Sequence, residues 1–248
     1  MSYTLPYASQ GAGTRTLELL QVAQRYNQWI YDRLRPGIGR RVLEVGCGMG
    51  TITQLLLDRE LVVGVDVVDE FIEHLQRAFR DRPGVQFLKR DLSQGADGLD
   101  GFRFDSAVSA NVFEHIERDA EAMAAVHALL QPGGTFALLV PAHPGLLGAF
   151  DRALGHHRRY TKRALRAKLE AAGFVVERLR YSNPLGALGW LVNVRLLQRM
   201  ELAGIGAFDR LVPVLALLDR LLDWPFGLQV IAIARKPAAP GPAGPVSG

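Results

Sequence analysis

The sequence predicts an α/β fold, a doubly wound and mostly parallel sheet with helices on both faces. Two observations carry that expectation. Short runs rich in Val, Leu, Ile and Phe alternate with helical patterns, and glycine-containing turns punctuate five such strand–helix units. The first unit also breaks into glycines, Gly46, Gly48 and Gly50, directly after its strand. With 248 residues, 48% of them hydrophobic, the chain has enough material for one domain with a sizeable core, expected over residues 1–236.

The elements follow in order. A leader helix is expected over residues 14–35, where Leu17, Leu20, Tyr26, Trp29, Ile30 and Leu34 recur at intervals of three and four before Pro36-Gly37. Val42, Leu43 and Val45 read as a buried parallel strand, and Thr51, Ile52, Leu55 and Leu56 open a helical pattern after the glycines. Leu61 to Val67 is the second strand. Phe71 to Arg80 is a helix stopped by Pro83-Gly84, with Asp69 placed to cap it. Val85 to Lys89 and Phe104 to Ser109 are the third and fourth strands, and Asp119 to Leu130 is the next helix. Gln131-Pro132-Gly133-Gly134 leads into the fifth strand, Thr135 to Val140. Thr161 is placed to cap a helix from Lys162 to Ala172, Phe174 to Tyr181 is the sixth strand, and Leu228 to Ala234 suits a seventh. Residues 237–248, a Pro/Ala/Gly tail, are expected to be disordered.

The glycine corner is where a ligand is expected, because missing Cβ atoms let it approach the backbone. A dinucleotide fingerprint needs G-x-G-x-x-G, but here the third glycine, Gly50, comes one residue early. Glu44 stands two places before Gly46, and a carboxylate there suits an ammonium or sulfonium ligand better than a pyrophosphate. Glu44, Gly46, Gly48 and Gly50 together resemble the first motif, E-x-G-x-G-x-G, of the class I S-adenosylmethionine-dependent methyltransferases.

The L-x-P-G-G-x-F pattern before the fifth strand (Leu130, Pro132, Gly133, Gly134, Phe136) and the phrase Asn111-Val112-Phe113-Glu114-His115-Ile116 are also similar to that family. The resemblance covers roughly residues 40–140 and implies a seven-stranded Rossmann-like methyltransferase fold whose last strand is antiparallel. It further implies S-adenosylmethionine as cofactor. Cys47 would sit in the cradle with the glycines, as a small residue rather than a nucleophile. Asp66, about twenty residues past Gly46, would take the ribose hydroxyls beside Val67. Asp91 and Leu92 would meet the adenine, and Asn111 and Val112 the methionine part. Tyr26 of the leader helix is a candidate cofactor contact, with plain packing as the alternative. His115 is a candidate on the substrate side, or simply a histidine satisfied in a helix's first turn.

Two segments, 141–163 and 182–227, leave the carboxyl ends of strands and so belong on the substrate side. The first holds His143 and the tract His156-His157-Arg158-Arg159-Tyr160-Thr161. His143, His156 and Tyr160 are the candidates for deprotonating a hydroxyl, and His157, Arg158 and Arg159 for holding an acceptor, with surface charge as the alternative for the arginines. An H-x-R-R-Y-T tract is similar to one in a subgroup of bacterial members of the family. No metal is expected, since adjacent His156 and His157 diverge in any regular structure and the spacing matches no zinc pattern. The second segment is apolar, carries Trp190 and Trp224, and suggests two or three helices forming a cap. That cap could be extra core, the wall of an apolar pocket (hence Trp190 as a substrate contact), or a surface for peripheral membrane contact or a homodimer.

The formal charge of +4 is modest and no Lys/Arg block stands out, so no nucleic-acid partner is expected. One cysteine and no signal-peptide pattern suit the cytoplasm. The expected activity is methyl transfer to a hydroxyl or carboxyl oxygen of a small, partly apolar molecule. Nitrogen or carbon acceptors, a nicotinamide oxidoreductase and a non-catalytic cofactor-binding subunit are the alternatives.

Overall fold

The computed structural model describes residues 23–191 and 205–238. Residues 14–22 of the expected leader helix, 192–204 of the apolar insertion and 239–248 of the tail lie outside them. The strands are β1 Arg41–Val45, β2 Leu61–Asp66, β3 Val85–Lys89, β4 Phe104–Ala110, β5 Leu130–Pro141, β6 Val175–Ser182 and β7 Gln229–Arg235. The α-helices are α1 Gln24–Leu34, α2 Asp69–Ala78, α3 Asp119–Leu129, α4 Ala149–Ala153, α5 Lys162–Ala171, α6 Pro184–Trp190 and α7 Ile205–Leu221.

All seven strands join one sheet in the order β3-β2-β1-β4-β5-β7-β6. β1 pairs in parallel with β2 and β4, whereas β7 runs antiparallel to both β5 and β6, which makes β7 the reversed strand. The sheet is buried on both faces because alternate side chains of each strand are apolar on both sides. Val42, Val62, Val108 and Leu139 pack on one face with Trp29, Ile30 and Leu34 of α1 and Val212 of α7. Leu43, Val63, Ala107 and Leu138 pack on the other with Met123 and Val126 of α3 and Leu165 and Leu169 of α5.

Three local results depart from the sequence reading. The pattern opening at Thr51 does not make an α-helix: Thr53–Leu56 is a 3-10 turn, with the Leu55 N–H donating to the Ile52 carbonyl at 2.8 Å. β5 begins at Leu130, five residues before the expected Thr135, and its pairing with β4 shifts register between Phe104 and Ser106. Asp69 lies inside the first turn of α2 and pairs with Lys89 at 2.5 Å, so it is not the cap. Thr161 does cap α5, accepting from the Ala164 N–H at 3.0 Å.

The insertion is built into the core through α7. Buried Asp219 accepts from the Ser182 hydroxyl at 2.7 Å and pairs with Arg33 of α1 at 2.8 Å. Asp209 accepts from the Tyr26 N–H at 2.9 Å. The opposite side of α7 leaves Leu211, Val214, Leu217 and Leu221 exposed. No described helix is long and apolar enough to cross a membrane.

Candidate active site

The strand order reverses between β1 and β4, which opens a crevice at their carboxyl ends. A cavity of about 90 Å³ lies there, lined by Glu44, Gly46, Thr51, Ile52, Ser109 and Ala110 among others. The glycine turn forms one rim. The Gly46 and Cys47 N–H groups both donate to the Val65 carbonyl, at 2.8 and 3.1 Å, which locks the turn over the end of β2. Gly46, Gly48 and Gly50 all take positive φ, a region that costs a residue with Cβ about 1–2 kcal/mol. At Gly46 a Cβ would lie 2.3 Å from a Val112 methyl, so glycine is what lets Val112 close over the turn. At Gly48 a Cβ would meet nothing within 4 Å, so the crest of the turn is open to a ligand.

Two carboxylates frame this turn. Asp66 accepts from the Gly48 N–H at 2.9 Å and from the Val68 N–H at 3.1 Å, which fixes it beneath the crest. Glu44 is 3% exposed and accepts from the Thr53 hydroxyl at 2.6 Å. Burial pushes its pKa up to about 8, against the pull of Thr53. A buried carboxylate lining a cavity, with Thr53 as its side-chain partner and no cation paired with it among the described residues, fits a ligand that carries an ammonium group. Cys47 is buried against Gly64, and burial raises its thiol pKa, so it is inert as a nucleophile.

The remaining residues expected around the cofactor are placed less uniformly. Val67 is exposed at the end of β2 and Leu92 is buried in the core. One carboxylate oxygen of Asp91 accepts from the N–H and the hydroxyl of Ser93, at 2.9 and 2.7 Å. Asn111 holds φ +55° with its N–H donating to the Leu139 carbonyl at 2.9 Å, a left-handed kink at the end of β4. Tyr26 is packed between α1 and β7, where its hydroxyl accepts from the Gln229 side chain at 2.7 Å. Burial pushes its pKa up to about 12.

The histidine–arginine tract divides by depth. Tyr160 is fully buried, and its hydroxyl donates to Asp119 at 2.8 Å. Burial, with the Asp119 charge, raises its pKa, so it stays protonated at neutral pH and is a positioning group rather than the base the sequence suggested. Arg158 is bridged to Asp119 at 2.6 Å. Arg159 is buried, bridged to Asp151 at 2.7 Å, and its guanidinium stacks 4.4 Å from the Trp190 ring. Neither arginine is left over for an acceptor carboxylate. His157 is exposed on its side chain, and its N–H donates to the Glu114 carbonyl at 2.8 Å.

His143 and His156 both lie in the connection between β5 and α5. His143, at φ +61° past the end of β5, stacks on Tyr181 with ring centroids 5.0 Å apart. His156 sets its Nδ1 3.0 Å from Asp151, which directs Nε2 to within 4.0 Å of Glu114. The His115 ring lies edge-on to His156 with centroids 4.6 Å apart. Desolvation within this cluster, then the neighbouring His156, pulls the pKa of His115 down to about 4, so it is neutral at pH 7. Glu114 was not among the sequence candidates, because a single glutamate beside a 3-10 turn carries no local signal. In the structure it is completely buried, its carboxylate oxygens have no hydrogen-bond partner, and burial pushes its pKa up to about 8.

Comparison with known proteins bears on this geometry. A family model described as "Methyltransferase domain" matches residues 43–136. A Mycolicibacterium smegmatis protein named "Probable S-adenosylmethionine-dependent methyltransferase" is 30% identical over 180 residues, spanning 70% of this chain and 68% of its own. The ubiquinone biosynthesis O-methyltransferase of Ruegeria pomeroyi is 31% identical over 102 residues, 40% of this chain and 40% of that protein. Among solved structures, the N-methyltransferase NodS from Bradyrhizobium japonicum, in complex with S-adenosyl-L-homocysteine, superposes with a TM-score of 0.55. It is 16% identical over 86% of each chain, a likeness of fold.

Proposed function

The chain belongs to the S-adenosylmethionine-dependent methyltransferases, and from that premise we propose that it methylates an oxygen of a small, partly apolar acceptor. Its cofactor is S-adenosylmethionine, whose sulfonium supplies an electrophilic methyl group. The protein's task is therefore to hold the acceptor in line and to remove a proton if the acceptor keeps one.

On the cofactor side, Glu44 would take the ammonium group, the Gly46–Gly50 turn would pass beneath the chain of the ligand, and Asp66 would take the ribose hydroxyls. Asp91 and Leu92 are assigned to the adenine, Asn111 and Val112 to the methionine part. Tyr26 supports this side by packing. On the acceptor side, His143, His115, His157 and Trp190 are assigned to the substrate.

The observation that carries the choice of oxygen is the Asp151–His156 pair. Asp151 accepts a hydrogen bond from the His156 Nδ1–H and leaves an Nε2 lone pair aimed at the cluster after β4, a base oriented as general-base chemistry requires. The pairing of both arginines weighs for a hydroxyl over a carboxyl acceptor. The O-methyltransferase name of the Ruegeria relative agrees with oxygen. The exposed Leu211, Val214, Leu217 and Leu221 stripe is where the 182–227 insertion would meet a membrane surface or a second copy, and we place the protein in the cytoplasm.

The test is incubation of purified protein and methyl-labelled cofactor with fractionated lysate. Label in a low-mass, organic-extractable O-methyl product supports the reading. Label on nitrogen, on carbon or only in macromolecules overturns it.

A further inference from the structure

We propose that Glu114, His115 and His156 bind one divalent transition-metal ion on the acceptor side of the crevice. This rests on the acceptor-side reading above and changes one part of it: with Nε2 on a metal ion, His156 acts as a ligand and not as the direct base. One ligand atom from each of the three residues falls within 4.8 Å of the other two. The residues come from separate connections, after β4 and after α4, so the fold rather than local spacing assembles them. Glu114 is the independent observation. Its side chain is completely buried and both of its carboxylate oxygens lack a hydrogen-bond partner, whereas buried polar groups in folded proteins are ordinarily satisfied.

The surroundings are those of a prepared ligand set. The Asp151 carboxylate on His156 Nδ1, at 3.0 Å, fixes the tautomer and turns Nε2 toward Glu114, 4.0 Å from Oε1. A carboxylate behind a ligating imidazole is the usual outer shell of such a site. Arg159 is already bridged to Asp151 at 2.7 Å and does not reach hydrogen-bonding distance of Glu114. His115 is the exposed member of the three, with its ring packed edge-on against His156. Two imidazoles and one carboxylate suit zinc, iron, cobalt or manganese, and three protein ligands leave open positions.

An acceptor hydroxyl in an open position would lose its proton to solvent more readily. The O–CH₃ bond then forms as the S–CH₃ bond breaks, with the electron pair staying on sulfur as S-adenosylhomocysteine leaves.

The test is titration of the metal-stripped full chain with Co²⁺ followed by visible absorption, and with Zn²⁺ by calorimetry. One equivalent is expected, with a cobalt d–d band. Glu114→Gln and His156→Ala should each weaken Zn²⁺ binding by about 100-fold or more, since outer-shell changes alone cost 10–100-fold. Zn²⁺ should raise the melting temperature of the wild type and not that of Glu114→Gln. Absence of saturable uptake, or equal uptake in wild type and both variants, overturns the inference. S-adenosylhomocysteine titration of the same samples keeps the two readings separate. Cofactor binding without metal binding refutes the site alone, and metal binding without cofactor binding refutes the cofactor assignment alone.

Discussion

Replacing Glu44 with Gln should weaken S-adenosylhomocysteine binding in a way that depends on pH. Glu44 lines the crevice, is 3% exposed, and has its pKa raised by burial to about 8. In the cofactor-free protein at pH 7 it is therefore mostly protonated, roughly nine parts in ten. Gln matches that neutral form in size and keeps an oxygen for Thr53, so the melting temperature of the free protein should stay close to the wild type. The ligand's ammonium group needs the ionised carboxylate. A charge-assisted hydrogen bond contributes about 1.5–3 kcal/mol, or ~10–150-fold in affinity. Deprotonating Glu44 subtracts about 1.4 kcal/mol for each pH unit below its pKa. Wild-type affinity should then rise by up to about tenfold per unit from pH 6 toward pH 8 and flatten beyond. Glu44→Gln should be flat across that range, nearly equal to wild type at pH 6 and about 10–150-fold weaker at pH 8.5. Calorimetry in buffers of different ionisation enthalpy should also show a proton released by the wild type at pH 7 and none by the variant. Equal affinities at every pH would refute the role given to this carboxylate.

The glycine turn makes a paired prediction. Gly48→Ala should cost about 1–2 kcal/mol of stability for its positive φ, yet lower S-adenosylhomocysteine affinity by about tenfold or more by filling the open crest. Gly46→Ala adds a methyl 2.3 Å from Val112 and should destabilise more than Gly48→Ala in chemical denaturation. Tyr160→Phe should lose about 1.5–3 kcal/mol of stability with kcat within about twofold of wild type, because the hydroxyl serves Asp119. A collapse of kcat in well-folded Tyr160→Phe would restore it as a base. Glu44 and Glu114 both have carboxyl pKa values raised from 4.5 to about 8. His115, lowered from 6.5 to about 4, opposes them below about pH 6.5, so the folded chain's excess of protons is clearest from there to about pH 8, where stability of the free protein should fall as pH rises. A melting temperature that climbs across that window would contradict the burial of both groups.

The sheet could be read from the chain because its strands are short β-branched runs bounded by glycine, and alternation alone separates the two buried faces. The glycine corner was legible for the same local reason: residues 44, 46, 48 and 50 are close enough in sequence to act as one unit. What local pattern could not show lies where distant segments meet. The periodicity at Ile52, Leu55 and Leu56 is genuine, yet the turn tightens to 3-10. Tyr160 reads as a candidate base in a polar tract, whereas the fold drives it inward against Asp119. Arg158 and Arg159 looked free until Asp119 and Asp151 were brought beside them. Glu114, separated in sequence from His156, became conspicuous only when the fold placed the two side by side and left the carboxylate unsatisfied.

The most direct measurement is equilibrium binding to the wild-type chain of S-adenosylmethionine, S-adenosylhomocysteine and NADH side by side. Saturable uptake of the two sulfur ligands at one site per chain, weakened about tenfold or more in Gly48→Ala, with no uptake of NADH, is the predicted result. Uptake of NADH by folded protein that ignores both sulfur ligands would contradict the account.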